Sequence, residues 1–367
     1  MKTVGADLFP FEVPLVASFR IATMECVAAQ GVFVRLRTDD GLVGWGEATP
    51  LHSINGETQA TCVATLPSLI PLVVGEDPRS IAALVERMEH VLPGQSAAAS
   101  AIEMALYDLA GKAEGMPLWR MLGGANRRLA TDQTIGIKPP ADAAADAVRF
   151  VGMGHRAIKI KVGSDVHEDV ERVRLVRDAI GTTASIRVDA NQGFECEEAL
   201  SFLKRIAPFD IEFCEQPVRR DDISGMTHLN AMSPVPIMAD ESLFTPADAL
   251  HLLREKACSL FNIKLSKSRG ILRGLEIAAI AEAAKIPCMI GGMIETRLGV
   301  TAAAHLGASR PIFHHFDLDA HTGHRDDVVI GGIRIERGDV ILPEAAGLGA
   351  EPDPAFLKKL SIIHVAA

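Results

Sequence analysis

Short apolar runs in the middle of this chain each end at a polar or small residue, and the pattern recurs every 24 to 28 residues. The residues that mark it are, in chain order, Thr134, Lys161, Asp189, Glu215, Asp240, Lys264, Gly292 and Asp317. This interval fits one strand plus one helix, so it predicts alternating strands and helices around a parallel sheet. Eight such units close into a barrel whose reactive groups lie at the C-terminal strand ends. The markers are therefore predicted to meet at one mouth of an α/β barrel.

The length of the chain leaves room for a second module beside the barrel. The chain has 367 residues and 48% of them are apolar, whereas a barrel takes about 250 residues or fewer. We predict an N-terminal α+β domain over residues 1–125, the barrel over 126–324, and a C-terminal segment over 325–367. Short strands are predicted in that segment at residues 328–330, 333–335 and 340–342. The segment is expected to pack back on the N-terminal domain, because strands left alone expose unpaired backbone groups.

Composition excludes several classes of function. The net charge of −10 and the pI near 5.7 argue against nucleic-acid binding, which needs a basic surface. The six cysteines show no C-x-x-C spacing, so neither a zinc site nor a disulfide framework is expected. The chain opens on no signal-like segment, and no apolar run reaches the roughly 18 residues of a membrane span. We expect an enzyme with no nucleic-acid or membrane partner and, by default, a cytoplasmic location.

The N-terminal region is predicted to be a small sheet followed by helices. Alternating side chains predict a three-stranded antiparallel meander at residues 2–11, 32–38 and 42–48. Residues 14–24, which include Phe19 and Arg20, are predicted to be a loop, and residues 50–56 form a second one. Both are candidates for a lid that keeps water from carbanion chemistry, and ordinary surface connections are the alternative. The pattern of residues 57–122 is helical.

Two lysines separated by one residue end the second predicted barrel strand. Side chains two apart on a strand point to the same side, so Lys159 and Lys161 are predicted to enter the barrel mouth together. Two neighbouring ammonium groups disfavour each other's charge, which lowers one lysine pKa towards the range of a general base. An isolated pair of this kind is usually solvated. The carboxylates that follow favour a catalytic role for Lys161.

Three consecutive predicted strands end in the acids Asp189, Glu215 and Asp240. Any one of them alone is more often a structural or capping acid. Together at one barrel mouth they would repel one another unless a cation lay between them, and hard oxygen ligands suit Mg²⁺. Asn191 and Glu241 lie beside this series and are predicted to hold the ligands by hydrogen bonds rather than to bind the metal.

The next predicted strand ends in Lys264. The second and sixth strands of an eight-stranded barrel stand opposite each other, so Lys161 and Lys264 are predicted to flank a substrate held on the metal. That arrangement permits removal of a proton on one face and its return on the other. Lys267 falls past the strand end and is predicted to be a loop residue with a minor role.

The last predicted strand is followed by Asp317 and Asp319, again two residues apart. With no metal left to bind, they can hold a substrate ammonium group; pairing with barrel arginines and capping of the next helix are the alternatives. Thr134 and Met293, in the turn Gly-Gly-Met-Ile, are predicted to line the pocket, where glycine lets the backbone approach a ligand. Four histidines follow at 314, 315, 321 and 324, and these are expected to be core or surface residues.

At this point the sequence resembles the enolase superfamily, and within it the muconate-lactonizing-enzyme-like subgroup. The resemblance covers nearly the whole chain and is carried by the motifs Gly-Trp-Gly-Glu at 44–47, Lys-x-Lys, Asp-x-Asn, Glu-Gln-Pro, Asp-Glu-Ser and Lys-Leu-x-Lys. It implies a modified TIM barrel, (β/α)7β, with an α+β capping domain formed by the N-terminal region and the C-terminal tail. It also implies that Asp189, Glu215 and Asp240 bind one Mg²⁺. Lys161 and Lys264 would then handle the α-proton of a carboxylate substrate, and Lys159 would assist while an enediolate forms.

Within the subgroup, Asp317 and Asp319 resemble the Asp-x-Asp pair that binds the free amino group in dipeptide epimerases. The resemblance therefore implies epimerisation at the C-terminal residue of a dipeptide, with L-Ala-D/L-Glu as one candidate. Arg20 is a candidate partner for an acidic side chain, and a solvent-facing arginine is the alternative. The alternative activities on this scaffold are o-succinylbenzoate synthase, N-succinylamino acid racemase and muconate-type cycloisomerase. The non-enzymatic hypothesis is a metal-stabilised binding module. A homo-oligomer is expected from the resemblance alone.

Overall fold

The computed structural model describes residues 1–125 and 128–365, and it begins with a long antiparallel hairpin. Strands β1 (Thr3–Arg20), β2 (Glu25–Thr38) and β3 (Val43–Ala48) pair in that order, which confirms the predicted meander. The predicted loop over residues 14–24 is wrong in extent, since only residues 21–24 lie between the two strands. A shift of register between Pro14 and Phe19 breaks the alternation of side chains there. The sequence pattern therefore missed the outer part of the hairpin.

Helices follow the sheet, as predicted. They are α1 (His52–Asn55), α2 (Gln59–Leu69), α3 (Ile81–Val91), α4 (Ser96–Ala113) and α5 (Leu118–Met121). Every residue of α4 from Ser96 to Gly111 is buried, because the helix packs closely on β3. Two glycines of β3 permit this approach: a Cβ on Gly44 or Gly46 would lie 2.3 or 1.9 Å from a carbonyl oxygen of α4.

A parallel eight-stranded sheet follows the short strand β4 (Leu129–Ala130). Its strands are β5 (Gln133–Ile135), β6 (Ala157–Lys161), β7 (Ser185–Asp189), β8 (Ile211–Glu215), β9 (Ile237–Ala239), β10 (Leu260–Ile263), β11 (Cys288–Ile290) and β12 (Phe313–Phe316). Neighbours in sequence are neighbours in the sheet. The sheet closes where Thr131 bridges Phe316 in parallel and the Asp132 N–H donates to the Phe316 carbonyl over 3.0 Å. The predicted barrel is confirmed.

Helices connect seven of these strands to the next. They are α6 (Pro140–Gly152), α7 (Val166–Ile180), α8 (Cys196–Ile206), α9 (Ile223–Met232), α10 (Pro246–Glu255), the pair α11 (Leu265–Ser268) and α12 (Ile271–Ala284), and α13 (Arg297–Ser309). After β12 the chain forms only a 3₁₀ turn, Ala320–Gly323, before it leaves the barrel. This is the predicted (β/α)7β arrangement.

Buried acids of the N-terminal region bind backbone N–H groups at the ends of barrel helices. Glu47 accepts hydrogen bonds from the N–H groups of Thr296 and Gly299, over 2.8 and 2.9 Å, at the start of α13. Glu103 of α4 accepts from Ile271 and Leu272 at the start of α12. Carboxyl oxygens at helix N-termini satisfy N–H groups that have no partner within the helix. The sheet of the N-terminal region is therefore fixed over one end of the barrel.

The C-terminal segment contacts both parts of the molecule. Its elements are β13 (Val329–Gly331), β14 (Arg334–Glu336), β15 (Asp339–Ile341), β16 (Ala350–Pro352), α14 (Pro354–Leu357) and β17 (Ile363–Val365). Strand β17 pairs with β1, in agreement with the expected return to the N-terminal sheet, whereas β15 pairs with β4 beside the barrel. The division into three segments stays a prediction, and its first boundary adjoins residues 126–127, outside the described residues. Among the described helices, none has both the length and the apolar character needed to cross a membrane.

Candidate active site

The polar residues that end barrel strands two to six meet at one mouth of the barrel. In the register of the parallel strands, Lys161 is opposite Asp189 and Asp189 is opposite Glu215. Asp240 follows β9 directly, and Lys264 follows β10. All five side chains are buried, and the three acids have no exposed surface. The structure thus brings together the lysines and carboxylates that the sequence pattern predicted.

Lysine ammonium groups contact the predicted metal ligands directly. Lys159 Nζ lies 2.7 Å from Glu215 Oε2 and 3.0 Å from Asp189 Oδ2, and Lys161 Nζ lies 2.6 Å from the same Asp189 oxygen. Burial lowers the pKa of Lys159, but the charges of Asp189, Asp317 and Glu215 outweigh it and raise the pKa above its ordinary value. The expected mutual lowering by two lysines does not dominate the pKa of Lys159, because its ammonium group lies within 3.0 Å of three carboxylates, those of Asp189, Glu215 and Asp317.

The opposite side of the carboxylate group is held by two further lysines. Lys264 Nζ lies 2.8 Å from Asp240 Oδ2, and Lys267 Nζ lies 2.5 Å from the other oxygen, Asp240 Oδ1. Lys267 also donates to the carbonyl groups of Leu243 and Asn262, each over 3.1 Å. Lys267 lies buried in the helical turn α11 rather than in a loop, so its predicted placement is wrong. Its position three residues after Lys264, on the single turn α11, turns it back beneath Asp240.

Hydrogen bonds fix the carboxylates of this group from outside. The Asn191 N–H donates to Asp189 Oδ1 over 2.9 Å, and the Asn191 amide donates to Glu241 Oε1 over 3.2 Å. Asn262 was not predicted; its amide donates to Glu215 Oε1 over 2.6 Å. Among the described residues, the buried oxygens Asn191 Oδ1 and Glu241 Oε2 accept no hydrogen bond. Three buried carboxylates with unpaired oxygens beside them are a donor set that fits a hard divalent cation and its water ligands.

Two buried acids of the mouth, Glu215 and Glu241, have raised pKa values. Burial and neighbouring negative charges outweigh the effect of the nearby lysines on both of them. Burial, followed by the charge of Asp189, raises the pKa of Glu215 to about 7, against the opposing effect of Lys159. Burial and then Asp240 raise the pKa of Glu241 to about 8. Burial also raises the pKa of Asp240, but Lys264 and Lys267 reverse the shift and hold it far below the ordinary value. The crowding of buried acids at the mouth therefore favours the binding of a further cation there.

A second acid cluster lies where strands one and eight meet. Asp317, Asp319 and Asp132 bring carboxylate oxygens within 4.8 Å of one another. Asp319 Oδ2 accepts from the Thr134 N–H over 2.7 Å, and the Thr134 hydroxyl contacts Asp317 Oδ1 over 3.3 Å. Burial and the charge of Asp317 raise the pKa of Asp319 to about 7. Asp132 was not predicted as a site residue, although its position two residues before Thr134 places it on the same side of the chain.

The two acid clusters differ in the cations that they already contain. Asp132 Oδ2 lies 2.8 Å from Arg187 Nη1, and Asp317 Oδ2 lies 2.8 Å from Lys159 Nζ. The spacing of the Asp132 cluster alone would suit a metal ion. Its fixed pairs with Arg187 and Lys159 leave mainly Asp319 for a further cation, so it suits an ammonium group better. Asp189, Glu215 and Asp240 stay the predicted metal ligands, and Lys161 and Lys264, which contact two of them, can move on flexible stems.

Two adjoining cavities open beside these groups. The smaller, of about 40 Å³, is lined by Lys161, Lys264 and Met293 together with apolar side chains of the hairpin turn and α1. The larger, of about 630 Å³, is lined by Thr134, Asp317 and Asp319, and on its outer side by β1 and α6. Arg20 is exposed and lines the larger cavity. The hairpin turn and α1, which lie in the two candidate lid regions, therefore both border the mouth.

Gly291, two residues before Met293, stands where a larger residue would not fit. A Cβ on Gly291 would lie 2.5 Å from Asn262 Oδ1 and 2.9 Å from Lys264 Cε. Glycine was predicted here because it lets the backbone approach a ligand. The structure shows that the absence of a Cβ leaves space for the side chains of Asn262 and Lys264. Of the four histidines at 314, 315, 321 and 324, the first two lie within β12; His314 is exposed, whereas His324 is buried. Among the described residues, no three-residue metal-binding group includes any of them.

Comparison with known proteins agrees with this geometry. Residues 5–123 match the mandelate racemase / muconate lactonizing enzyme N-terminal domain, and residues 142–356 match the enolase C-terminal domain-like family. The chain belongs to the mandelate racemase / muconate lactonizing enzyme family of the enolase superfamily. Its matched relatives are named epimerases and racemases, so it is an isomerase that acts on amino-acid derivatives.

Three relatives illustrate how close the similarity is. The L-Ala-D/L-Glu epimerase of Bacillus subtilis is 38% identical, over 95% of this chain and 96% of that protein. The D-Ala-D/L-Ala epimerase of Cytophaga hutchinsonii is 38% identical over the full length of both chains. The crystal structure of a dipeptide epimerase from Cytophaga hutchinsonii, complexed with Mg and the dipeptide D-Ala-L-Val, has a TM-score of 0.97 with 37% identity and covers both chains completely.

Proposed function

We propose that this protein is a Mg²⁺-dependent dipeptide epimerase that inverts the α-carbon of the C-terminal residue. The observation that carries the proposal is the order of side chains around the barrel mouth. Lys161 and Lys264 stand on either side of the three strands that supply Asp189, Glu215 and Asp240. Asp317 and Asp319 lie beyond Lys159, next to strand one. A dipeptide presents three matching groups in the same sequence: a carboxylate, an acidic α-carbon and an ammonium group.

The three carboxylates would hold Mg²⁺, which when bound supplies charge that stabilises the substrate carboxylate as the α-proton leaves. Asn191 and Asn262 keep two of these carboxylates in position through the hydrogen bonds described above. Lys159 is fully buried and contacts both Asp189 and Glu215, so its charge stays at the same place throughout the reaction. Fixed charges of this kind need no reorganisation when negative charge develops on the substrate.

Lys161 and Lys264 are proposed to exchange the proton. One lysine, in its neutral form, takes the proton from the α-carbon, and the C–H electron pair stays on the substrate. The other lysine, in its ammonium form, returns a proton to the same carbon from the opposite face, so the configuration inverts. The reverse reaction uses the same two residues with their roles exchanged. Three strands separate β6 from β10 in the sheet, which is the arrangement that such a two-sided transfer requires.

Asp319 and Asp317 are proposed to bind the free amino group. Both carboxylates are buried, and a buried negative charge without a partner costs free energy. A substrate ammonium group is therefore a favourable partner for them. N-succinylated amino acids, succinylbenzoate and muconate have no ammonium group to place there. This observation favours a dipeptide over the other activities of the scaffold. The two epimerases of 38% identity described above act on different second residues, so identity alone does not assign the preferred dipeptide.

Incubation of a dipeptide library with the protein in D₂O tests the proposal. With Mg²⁺ present we expect mass-shifted, epimerised product labelled at the α-carbon of the C-terminal residue, and we expect no label after removal of the metal with EDTA. N-acetylated versions of the same dipeptides serve as the matched control, since they lack the ammonium group. Absence of exchange from every free dipeptide, or faster exchange from N-succinyl amino acids, would exclude a dipeptide epimerase.

A further inference from the structure

The two cavities of the mouth differ in size and in chemistry. The smaller one, of about 40 Å³, has room for only a few water-sized groups. Its lining around the two lysines is mostly apolar, with Phe19, Ile21, Met24, Leu51, Ile54 and Ile294 among the contributors. Among the described residues, neither an arginine nor a carboxylate lines it.

The position of the small cavity determines which part of a substrate enters it. It is the cavity that contains both Lys161 and Lys264, so a reacting α-carbon between them directs its own side chain into this space. An acidic side chain there would lose its hydration and find no cation except the two lysines needed for proton transfer. Arg20, the predicted partner of such a side chain, lines the other cavity. A large side chain would overlap the hairpin turn or α1.

The larger cavity lies on the amino-terminal side of the same substrate. It is lined by Asp317 and Asp319 and extends outwards between β1 and α6, with a volume of about 630 Å³. Two cations on its far wall share one acid: Lys138 Nζ and Arg149 Nη2 lie 2.5 and 2.8 Å from the carboxylate oxygens of Asp146. Arg20, Glu25 and Asp142 line the same cavity, so three cations face three acids on this side, and the space between them and the acid pair is open. It accommodates a long first side chain without a requirement for one charge.

From this asymmetry we infer that the enzyme is selective for a small apolar residue at the reacting, C-terminal position and tolerant of large residues at the first position. The inference depends on the proposed function, since it assigns the substrate class of the same site. It makes L-Ala-L-Ala and L-Phe-L-Ala good substrates, and L-Ala-L-Glu and L-Ala-L-Phe poor ones.

Initial rates of α-deuteration in D₂O with these four dipeptides test the inference. We expect kcat/KM for L-Phe-L-Ala to lie within about tenfold of the value for L-Ala-L-Ala, and the values for L-Ala-L-Glu and L-Ala-L-Phe to be lower by about 100-fold or more. A value for L-Ala-L-Glu equal to or above that for L-Ala-L-Ala would overturn the inference while leaving dipeptide epimerisation intact. Exchange from none of the four, nor from a wider library, would overturn both.

A variant that enlarges the small cavity gives a second, independent readout. Leu51→Ala should raise the ratio of L-Ala-L-Leu to L-Ala-L-Ala turnover at least about fivefold, because the removed side chain vacates space beside the reacting carbon. Val27→Ala is the matched control, since Val27 is 70% exposed on the outside of the same hairpin. An unchanged ratio in a folded Leu51→Ala protein, or an equal change in both variants, would contradict the assignment of this cavity to the reacting side chain.

Discussion

The ammonium group of Lys159 lies 2.8 Å from Asp317 Oδ2 and thereby joins the two acid clusters of the barrel mouth. On its other side the same ammonium group contacts Glu215, one of the proposed metal ligands. Lys159 therefore lies between the cluster proposed to hold the substrate carboxylate through the metal and the cluster proposed to hold its ammonium group. Changes at either cluster should affect distinct kinetic constants.

Asp319→Asn should impair recognition of the amino group selectively. The substitution removes one negative charge while a side-chain oxygen remains to accept the Thr134 N–H bond. We expect KM for a free dipeptide to rise at least about tenfold, since a charge-assisted hydrogen bond contributes roughly 1.5–3 kcal/mol. Turnover of the N-acetylated dipeptide should change much less. Steady-state kinetics with both substrates measure this, with Asp326→Asn on the exposed surface as control. Equal losses for both substrates would contradict an ammonium site.

Lys267→Met should weaken metal binding without removing a proposed ligand. Lys267 holds Asp240 through its side chain and through the neighbouring carbonyl groups, so its loss frees that carboxylate to turn. We expect the Mg²⁺ concentration for half-maximal activity to rise about 10–100-fold, as for other residues that orient metal ligands. Calorimetric titration with Mg²⁺ gives the same answer without turnover. Lys204→Met, at an exposed lysine of α8, is the control, and unchanged Mg²⁺ affinity in the Lys267 variant would exclude this role.

Glu103 should make the stability of the protein fall as the pH rises. Burial raises the pKa of Glu103 to about 8 from an ordinary value of 4.5, against the lowering effect of the Leu272 and Ile271 N–H groups. The folded protein thus holds a proton that the unfolded chain releases between these two values, so unfolding becomes easier as pH increases through that window. Glu103→Gln removes this contribution.

We expect the free energy of unfolding of Glu103→Gln to decline less steeply between pH 5 and pH 8 than that of the unmodified protein. The difference is at most about 1.4 kcal/mol per pH unit, the value for one proton. Urea denaturation at several pH values measures it. Glu86→Gln, at an exposed position of α3, controls for the loss of a carboxylate. Parallel pH curves for the unmodified protein and Glu103→Gln would show that Glu103 is ionised throughout.

Gly193→Ala should disturb the closure of the hairpin over the mouth. A Cβ at this position would lie 2.4 Å from the Gly163 carbonyl oxygen and 2.8 Å from the Ala22 Cβ of the hairpin turn. We expect a higher KM, and faster proteolysis of the hairpin turn at residues 21–24. The matched control is Gly152→Ala in α6, where an added Cβ meets no atom within 4 Å. Identical kinetics and proteolysis in both variants would show that the turn does not depend on this contact.

The sequence predicted the barrel and its central side chains because each of them ends a strand. Asp189, Glu215 and Lys161 follow apolar runs at a regular interval, and parallel strands align their ends without any knowledge of packing. The position of Lys267 was predicted wrongly because this residue does not end a strand. Its place beneath Asp240 depends on a single helical turn after β10, and a one-dimensional pattern does not show the direction in which that turn folds back.

The hairpin shows a second limit of sequence reading. Residues 15–20 lie in a strand but lack regular alternation, because the register with β2 shifts there and the outer part of the hairpin extends over the barrel instead of over a core. The two cavities depend on that extension, and so do Arg20 and the inferred preference for a small reacting side chain. Such features arise from contacts between segments far apart in the chain and were visible only in three dimensions.

The most direct test of the account compares Lys161→Ala and Lys264→Ala with the unmodified enzyme, using both epimers of one accepted dipeptide in D₂O. We predict that each variant loses epimerisation by about 10²–10⁴-fold. Each should still exchange the α-proton of one epimer, and the two variants should retain opposite epimers. Retention of full epimerisation by either variant, or exchange of the same epimer by both, would contradict proton transfer from two faces.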